Sequence, residues 1–373
     1  MITGLTPEQT ELRDAVRRFL AGKSSEAEVR RLMATSEGYD PEAWKQMAGQ
    51  LGLQGLAIPE EYGGQGFTWA ELGIVLEETG RALLGGPFFS SAVLAAAALL
   101  QSDDADAKKR LLPSIADGSV IATLALPRRD LADVPVTAVT DGTVWRLAGT
   151  VPLVTDAHVA DVLLIPARSR DGITLFEVRR GAEGLTVAAR PTLDQTRKLA
   201  DVTLDGARAV PVTAIGAAGP VLEATRDHAI TGLAAEQVGV AQATLDMAVE
   251  YMKVRVQFGQ PIGAFQALKH MAADVLVEVE TARSAAYSAL DAAVAGSGDF
   301  PAIAALAAAY CSDASVAAAH QNIQFHGGMG FTWEVPAHLY YKRARADELL
   351  LGEPAAHRER LAQLTGVTGC ATR

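Results

Sequence analysis

The feature that most constrains the fold of this 373-residue chain is a double change in the spacing of its apolar residues. The first third has helical spacing, the middle hundred residues have short β-branched runs, and the last third returns to helical spacing in longer stretches. This order predicts an α+β protein with an N-terminal helical bundle over 1–118, a middle antiparallel β domain over 119–215 and a C-terminal long-helix bundle over 216–373. The order predicts architecture and leaves the chemistry open.

Local signals mark several element boundaries. Thr6-Pro7-Glu8-Gln9 and Thr68-Trp69-Ala70-Glu71 have the form of capping boxes, in which two side chains satisfy free N–H groups at a helix start. Asp40-Pro41 predicts a third helix start. Asp141-Gly142 and Asp171-Gly172 lie between β-branched runs and predict tight hairpin turns, because glycine tolerates the positive φ that such turns need.

The periodicity also gives approximate element positions. Strands are predicted at 120–126, 134–140, 144–147, 162–165, 173–178 and 202–204. Long helices are predicted at 220–256, 265–295 and 301–325, and the end of the chain, 365–373, is predicted to be a frayed tail.

The composition excludes several classes of partner. Apolar residues make up 49% of the chain and aromatic residues 6%, which favours a folded protein with closely packed, alanine-rich helices. Lys and Arg number 33 against 44 Asp and Glu, a formal net charge of −11, so no sequence-independent nucleic-acid surface is expected. The longest uncharged apolar runs, 92–100 and 302–311, are shorter than the ~18 to 20 residues of a membrane-spanning helix. We expect neither nucleic acid nor membrane as a partner.

The N-terminal segment and the cysteines bear on the compartment. Glu8, Glu11 and Arg13 interrupt the stretch that would be apolar in a secretory signal. Cys311 and Cys370 are too far apart for a Cys-x-x-Cys metal or redox site. We therefore expect a cytoplasmic protein with free thiols and no disulfide or metal site.

Two segments of the last third are distinctive. The first reads Arg255-Val256-Gln257-Phe258-Gly259-Gln260-Pro261-Ile262 and is followed by Phe265-Gln266; the second reads Gln324-Phe325-His326-Gly327-Gly328-Met329-Gly330-Phe331. In these residues, and in its helix–β–helix order, the chain resembles the flavin-dependent acyl-CoA dehydrogenase family along almost its whole length. The resemblance implies an FAD-dependent oxidoreductase that introduces a double bond between the α- and β-carbons of an acyl-CoA thioester.

The resemblance also implies a cofactor site in these segments. In the family they reach across a subunit interface to the diphosphate and adenine of FAD bound mainly by the neighbouring subunit. Carried over, this assigns FAD contacts to Arg255, Phe258, Gln266, Gln324, Gly327 and Gly328. A guanidinium fork suits a diphosphate, a side-chain amide suits an adenine edge, and glycines let backbone N–H groups approach phosphate.

Both segments also have a purely structural interpretation. Arg255 lies at the end of a predicted helix that Gly259 and Pro261 would close, where a cation complements the helix dipole. The glycines after His326 could simply end the next helix.

The catalytic base of the family has no counterpart at either of its usual positions. The reaction needs a carboxylate that removes the α-proton while a hydride leaves the β-carbon for the flavin. Aligning the basic stretch Lys342-Arg343-Ala344-Arg345 places Leu351 at one base position, and counting back from Phe258 places Ala229 at the other. The candidate substitutes are Asp227 and Glu353, with Glu236 farther along the helix; each is also an ordinary helix or cap carboxylate.

The β domain departs from the family as well. The flavin-facing loop Thr-Glu-Pro-Gly-Ala-Gly-Ser-Asp of the family corresponds here to Ala125-Leu126-Pro127-Arg128-Arg129-Asp130, without the first acid, the glycines and the serine. The Trp-Ile-Thr segment at the flavin edge corresponds to Leu153-Val154-Thr155. The resemblance implies that the Thr155 hydroxyl contacts flavin, whereas an ordinary strand threonine is the alternative.

The chain keeps the residues that would bind a neighbour's FAD but lacks the usual base and the flavin-facing loop. Three hypotheses follow from this contrast. In the first, the chain is the base-deficient subunit of a heteromeric acyl-CoA dehydrogenase and completes the FAD site of a related subunit, as in bacterial enzymes of steroid side-chain degradation. In the second, it is a self-sufficient homo-oligomer with a relocated carboxylate base. In the third, it is a catalytically silent binding or scaffold protein. The sequence identifies neither the acyl group nor the electron acceptor.

Overall fold

The computed structural model describes residues 4–127, 131 and 133–367 and divides into two compact units. The bundle unit contains the described residues of Met1–Glu28, Gly73–Leu84 and Ile230–Arg373. The sheet unit contains those of Val29–Leu72 and Gly85–Ala229. The domain boundaries at 118/119 and 215/216 stay predictions.

Helices occupy the first and last thirds of the chain, as predicted. They are α1 (Pro7–Lys23), α2 (Glu26–Met33), α3 (Pro41–Leu51), α4 (Trp69–Arg81), α5 (Ala96–Gln101), α6 (Ala105–Ala116), α7 (Ala218–Val254), α8 (Gln266–Ala295), α9 (Phe300–His326), α10 (Ala337–Leu350) and α11 (Pro354–Leu364). A π-helix, Phe89–Ala95, runs directly into α5 and was not predicted.

The predicted helix starts are confirmed by their hydrogen bonds. Before α1, the Gln9 amide N–H donates to the Thr6 hydroxyl and the Thr6 N–H donates to the Gln9 side chain, a complete capping box. Before α4, the Thr68 N–H donates to the Glu71 carboxylate. Asp40 caps α3 by accepting the Glu42 N–H at 2.8 Å.

The sheet unit holds one seven-stranded mixed sheet. Its strands are β1 (Ala122–Leu124), β2 (Thr137–Thr140), β3 (Trp145–Thr155), β4 (Val162–Ser169), β5 (Gly172–Arg179), β6 (Leu185–Arg190) and β7 (Leu199–Pro211). The pairs β2–β3, β3–β7, β4–β5, β5–β7 and β6–β7 are antiparallel, as predicted. β6 was not predicted, and β1 and β2 pair with β4 in parallel where antiparallel pairing was predicted.

The pairings of the sheet form a closed circuit from β4 through β2, β3, β7 and β5 back to β4. Closure removes exposed strand edges along this circuit. The two predicted hairpins are confirmed: Asp141-Gly142 joins β2 to β3, and Asp171-Gly172 turns β4 into β5. Asp141 accepts N–H groups from Thr143 and Val144, and these bonds lower the pKa of its carboxyl to about 2.

The long helices of the bundle unit pack through small side chains. One core cluster joins Ala234 and Val238 of α7 with alanines and a cysteine of α8 and α9. Where α4 meets α7, no side chain separates the backbones: a Cβ on Gly239 would overlap the Glu77 carbonyl, and a Cβ on Gly80 would overlap the Glu236 carbonyl. Burial raises the pKa of the Cys311 thiol to about 12, so this thiol stays protonated and unreactive at neutral pH.

One helical stretch, Phe300–Phe331, is long and apolar enough to cross a membrane by length and composition. However, 61% of its 18-residue apolar window is buried inside the structure, where α9 packs against α8, α10 and α11. A core helix of a globular bundle passes the same test, and its burial here matches that alternative.

The glycine contact between α4 and α7 gives the first prediction. Gly239→Ala should destabilise the protein by about 1 to 3 kcal/mol, because the added methyl group would force the two backbones apart. Gly49→Ala in α3 is the matched control, since nothing lies within 4 Å of its Cβ position. The control should stabilise the protein by about 0.5 to 1 kcal/mol. Urea unfolding midpoints measure both changes, and equal effects would contradict the contact.

Candidate functional site

The two distinctive segments meet at one end of the bundle unit. Tyr251, one helical turn before Arg255, stacks its ring on His326 at 4.2 Å between ring centres. Its hydroxyl lies 3.8 Å from the Met329 sulfur. Below this contact a core cluster joins α7, the start of α8 and the end of α9 through Met252, Ile262, Phe325 and their neighbours. The folded chain therefore brings the predicted cofactor residues of both segments together.

Arg255 lies directly after α7, at the base of a short hairpin. The strands of the hairpin are β8 (Val256–Gln257) and β9 (Gln260–Pro261), and the Ile262 N–H donates to the Arg255 carbonyl at 2.8 Å. Phe258 and Gly259 form the tip with φ of 52° and 80°. A positive φ costs energy in a non-glycine residue and is enriched at functional sites. The Arg255 side chain is exposed at the foot of this hairpin.

The second segment ends α9 in a glycine turn. Gly327 has φ 59° and its N–H bonds back to the Gln324 carbonyl, so the capping interpretation is confirmed for this residue. Among residues 4–127, 131 and 133–367, none beyond the immediate neighbours has an atom within 4 Å of a Cβ placed on Gly327 or Gly328. The chain's own packing therefore does not require a glycine at Gly328, whereas a closely approaching external group would.

The two glutamines also lie on this surface. Gln266, the first residue of α8, is exposed and its side-chain amide lies 2.9 Å from the His270 ring. Gln324 is exposed in the last turn of α9. The predicted cofactor residues therefore provide one exposed guanidinium, two exposed amides and the backbone of a glycine turn, a set that suits a phosphate and a nucleobase edge.

Thr155 lies in the sheet unit, at the end of β3, and is buried. Its carbonyl accepts the Thr123 hydroxyl at 2.6 Å. Positive φ values flank it at Leu153, 57°, and Asp156, 53°, and the Ser90 hydroxyl donates to Asp156 at 2.7 Å. The backbone around the predicted flavin edge is therefore strained, as is common at functional sites, and two of the three side chains of the edge differ from the family. The opposing loop is described only for Ala125–Pro127; Arg128, Arg129 and Asp130 lie outside the described residues.

Both usual base positions are apolar and buried. Ala229 is fully buried in α7, and Leu351 is buried directly after α10. Of the candidate substitutes, Asp227 is buried and Glu353 is exposed at the start of α11. Glu236 is excluded as a free base, because its carboxylate accepts a hydrogen bond from Arg343 at 2.7 Å in a fully buried ion pair.

Two histidines, one beside Ala229 in α7 and one at the end of α9, were not predicted as site residues from the sequence. His228 precedes Ala229 and packs 4.7 Å from the Trp69 ring, and burial lowers the pKa of its imidazole despite a hydrogen bond to the Ala224 carbonyl. Burial likewise lowers the pKa of His326, whose ring hydrogen-bonds the Asn322 carbonyl. Both are therefore neutral at pH 7. A His four residues after its carbonyl partner on an apolar helix is the signal that could have identified them.

The bundle unit also contains a polar cleft of about 450 Å³ between α1, α4, α7 and α8. Its four guanidinium groups are paired with carboxylates: Arg13 with Asp14 at 3.6 Å, Arg17 with Glu78, Arg81 with Asp246 at 2.7 Å, and Arg283 with Glu77. The cleft walls therefore largely neutralise each other. Within 4–127, 131 and 133–367, no group of three or more His, Cys, Asp or Glu is placed to hold a metal ion.

Comparisons with known families match both helical parts of the chain. The family profile described as "Acyl-CoA dehydrogenase, N-terminal domain" matches residues 6–119. The profile described as "Acyl-CoA dehydrogenase, C-terminal domain" matches residues 220–365, which include Arg255 and the glycine turn.

Individual relatives cover nearly the whole chain. The acyl-CoA dehydrogenase IpdE2 of Mycolicibacterium smegmatis is 34% identical over 357 residues, which are 96% of this chain and 98% of the relative. A variant of the steroid acyl-CoA dehydrogenase Tcur3481-Tcur3483 is 34% identical with a TM-score of 0.88, covering 96% of this chain and 98% of the other. The ChsE4-ChsE5 complex of Mycobacterium tuberculosis contains a chain 29% identical to this one, with a TM-score of 0.90 and coverage of 99% and 100%.

Proposed function

The chain belongs to the acyl-CoA dehydrogenase family of FAD-dependent oxidoreductases, and we propose that it is the base-deficient subunit of a heteromeric member, in which it completes the FAD site of a related subunit. The observation that carries the proposal is the pair of buried apolar residues, Ala229 and Leu351, at the two usual base positions. The two-component names Tcur3481-Tcur3483 and ChsE4-ChsE5 among the relatives support it.

The role of each cofactor residue follows from its exposure. The Arg255 guanidinium would donate to the FAD diphosphate, and the exposed backbone of the Gly327-Gly328 turn would approach it, although the Gly327 N–H itself donates to the Gln324 carbonyl. Gln266 and Gln324 would bind the adenine edge, with Phe258 beside them. FAD supplies the oxidising ring of the reaction. In the sheet unit, Thr155 would contact the ring edge in a chain that carries its own flavin.

The same assignment explains what this chain does not supply. Removal of the substrate α-proton needs a carboxylate within hydrogen-bond reach of that proton. A carboxylate that is too far away cannot act as the base, whatever its pKa. Leu351 has no proton acceptor, and Glu236 is engaged by Arg343. The working carboxylate would therefore come from the related subunit, together with the flavin-facing loop that the sequence of this chain lacks.

A self-sufficient homo-oligomer is the second candidate, favoured by two observations. Asp227 is buried two residues before the base position at Ala229, as a relocated base would be. Positive φ values at Leu153 and Asp156, on either side of Thr155, also mark a strained backbone of the kind that is enriched at functional sites. The proposal also includes a bulky or steroid-derived CoA thioester as the substrate, which rests on the steroid relative, and a cytoplasmic location.

The flavin absorbance of the purified protein tests the proposal. The chain expressed alone should carry little flavin, and it should gain flavin when it is co-expressed with a related chain from its own genome that keeps a Glu at the position of Leu351. Full flavin per chain in the protein purified alone would favour the self-sufficient enzyme. No flavin under either condition would favour a catalytically silent homologue.

Arg255→Ala should weaken FAD retention in the assembled oligomer by about 10- to 150-fold, because a charge-assisted contact contributes about 1.5 to 3 kcal/mol. The stability of the fold should change by less than about 1 kcal/mol, the contribution of a cation at a helix end. Ultrafiltration of the flavin-loaded oligomer measures retention. Arg358→Ala is the control, because Arg358 is another exposed arginine of the bundle unit and pairs with Asp313 instead of lying in either cofactor segment. Equal retention in the parent and Arg255→Ala would refute the assignment.

Asp227→Asn and Glu353→Gln should leave the desaturation rate of the reconstituted complex close to that of the parent. Each change removes a carboxylate base and preserves shape, so a working general base would instead show a loss of about 100-fold or more. Leu351→Glu should not make the chain active alone, because the flavin-facing loop and edge would still differ from the family. A large loss of desaturation rate for Asp227→Asn in protein purified alone would show that this chain supplies the catalytic base.

A further inference from the structure

The polar cleft between α1, α4, α7 and α8 lies apart from the cofactor segments. All of its lining residues belong to the bundle unit, and its volume of about 450 Å³ is that of a small-molecule site. Along α8, the lining residue Tyr287 lies 21 residues beyond Gln266, which corresponds to about 30 Å of helix. We propose that the cleft binds a small anion through a phosphate or carboxylate group, with Arg13 as the principal contact. This inference does not depend on the proposed function.

Charge alone does not specify a ligand for this cleft. Its lining carries four guanidinium groups against the three carboxylates of Glu77, Asp246 and Glu280. Asp14 and Glu78 lie outside the lining, and each pairs with a lining arginine, so the excess of positive charge is offset. The hydrogen-bonding capacities do not balance in this way, because a guanidinium has five N–H donors and no acceptor, whereas a carboxylate only accepts.

Two of the carboxylates in the lining are already engaged through both oxygens. Glu77 accepts hydrogen bonds from Arg283 and, at 2.9 Å, from the Tyr287 hydroxyl. Asp246 binds Arg81 at 2.7 Å through one oxygen and accepts the Gln242 side-chain amide at 2.8 Å with the other. These acceptors are therefore committed to donors of the cleft wall.

The donors of the cleft are not used up in the same way. The Nε atom of Arg13 is buried and has no hydrogen-bond partner among the residues that the structure describes. Its ion pair with Asp14 spans 3.6 Å, which is longer than a hydrogen bond. Within the same described residues, Arg81 pairs with a carboxylate through Nη1 alone. The cleft therefore has donors that its own acceptors do not satisfy.

Arg13 acts on the same space as this network. Burial and the Glu77 carboxylate raise the pKa of the Tyr287 hydroxyl, and the positive charge of Arg13 opposes that rise. Arg13 of α1 is thus close enough to α8 to attract a charged group bound in the cleft. Arg283 is held by Glu77 and, at 2.7 Å, by the Gln242 side chain. Walls that are ordered before a ligand arrives lower the entropy cost of binding.

An oxyanion supplies the acceptors that the cleft lacks. A phosphate or carboxylate group offers several acceptor oxygens, and its geometry matches the planar donor fork of a guanidinium. A cation would meet the four guanidinium groups, and an apolar ligand would leave the remaining donors without partners. The chemistry and the size of the cleft therefore select a small anion.

Isothermal titration calorimetry of the full chain tests the inference, with inorganic phosphate and succinate as probes at constant ionic strength. At least one probe should bind at one site per chain with a Kd of about 1 mM or below, and the stronger of the two identifies the recognised group. Arg13→Gln should weaken that binding at least tenfold, because it removes a charge-assisted contact. Arg18→Gln is the matched control, since Arg18 is an exposed arginine of the same helix outside the cleft lining.

Chemical modification of the unmutated protein gives a measurement that does not depend on the folding of a variant. Phenylglyoxal, which reacts with guanidinium groups, should label Arg13 in the free protein, and the bound probe should protect Arg13 but not Arg18 in peptide mass spectrometry. Binding of neither probe, equal affinity in the parent and Arg13→Gln, or equal protection of both arginines would each overturn the inference. The flavin content of the co-expressed complex should be the same in Arg13→Gln as in the parent, so the two proposals fail separately.

Discussion

The direct contact between α4 and α7 at Gly80 and Gly239 determines which polar groups of the bundle unit are buried and must be paired. Where two helix backbones touch, the side chains next to the contact lie in the protein interior, away from water. The carboxylates of Glu77 and Glu236 are consequently buried, and each must be paired. Arg283 and the Tyr287 hydroxyl bind Glu77, and Arg343 binds Glu236, so α8 and α10 are tied to the same contact.

The cofactor segments depend indirectly on this packing of the bundle helices. The hairpin and the start of α8 are close in sequence, whereas the glycine turn follows only after α8 and α9. They meet because the end of α7, the start of α8 and the end of α9 pack on the cluster of Met252, Ile262 and Phe325. The donors themselves are exposed and make few contacts within the chain. The geometry of the site is thus set by buried apolar residues, while its chemistry belongs to side chains that contribute little to the fold.

Much of this architecture could be predicted from the sequence, because its strongest signals are local. Capping residues at Thr6 and Asp40 and the turn at Asp141-Gly142 act within a few residues and form as predicted. The long helices also start and end within a few residues of their predicted limits. β6 was missed because its residues alternate weakly, and the parallel pairing of β1 with β4 depends on contacts between distant strands.

The candidate site shows the same division. The segments of Arg255 and Gly327 were recognised as linear motifs, but neither motif shows that Tyr251 and His326 would join them. The pairing of Glu236 with Arg343, 107 residues apart, decides that this carboxylate is no base, and no local pattern encodes it. The π-helix at Phe89–Ala95 was invisible for a related reason: its composition is that of an ordinary apolar helix.

The Glu236–Arg343 pair restricts how this sequence can evolve. Removing either partner alone leaves a buried charge uncompensated at a cost of about 3 to 5 kcal/mol, a large share of the about 5 to 15 kcal/mol that holds a typical domain folded. Replacing both by apolar residues of similar volume can be neutral, so the two substitutions show reciprocal epistasis. Evolutionary loss of the pair therefore passes through a strongly destabilised variant with only one of the two substitutions. A lineage can tolerate that variant if earlier substitutions elsewhere in the chain have raised its stability.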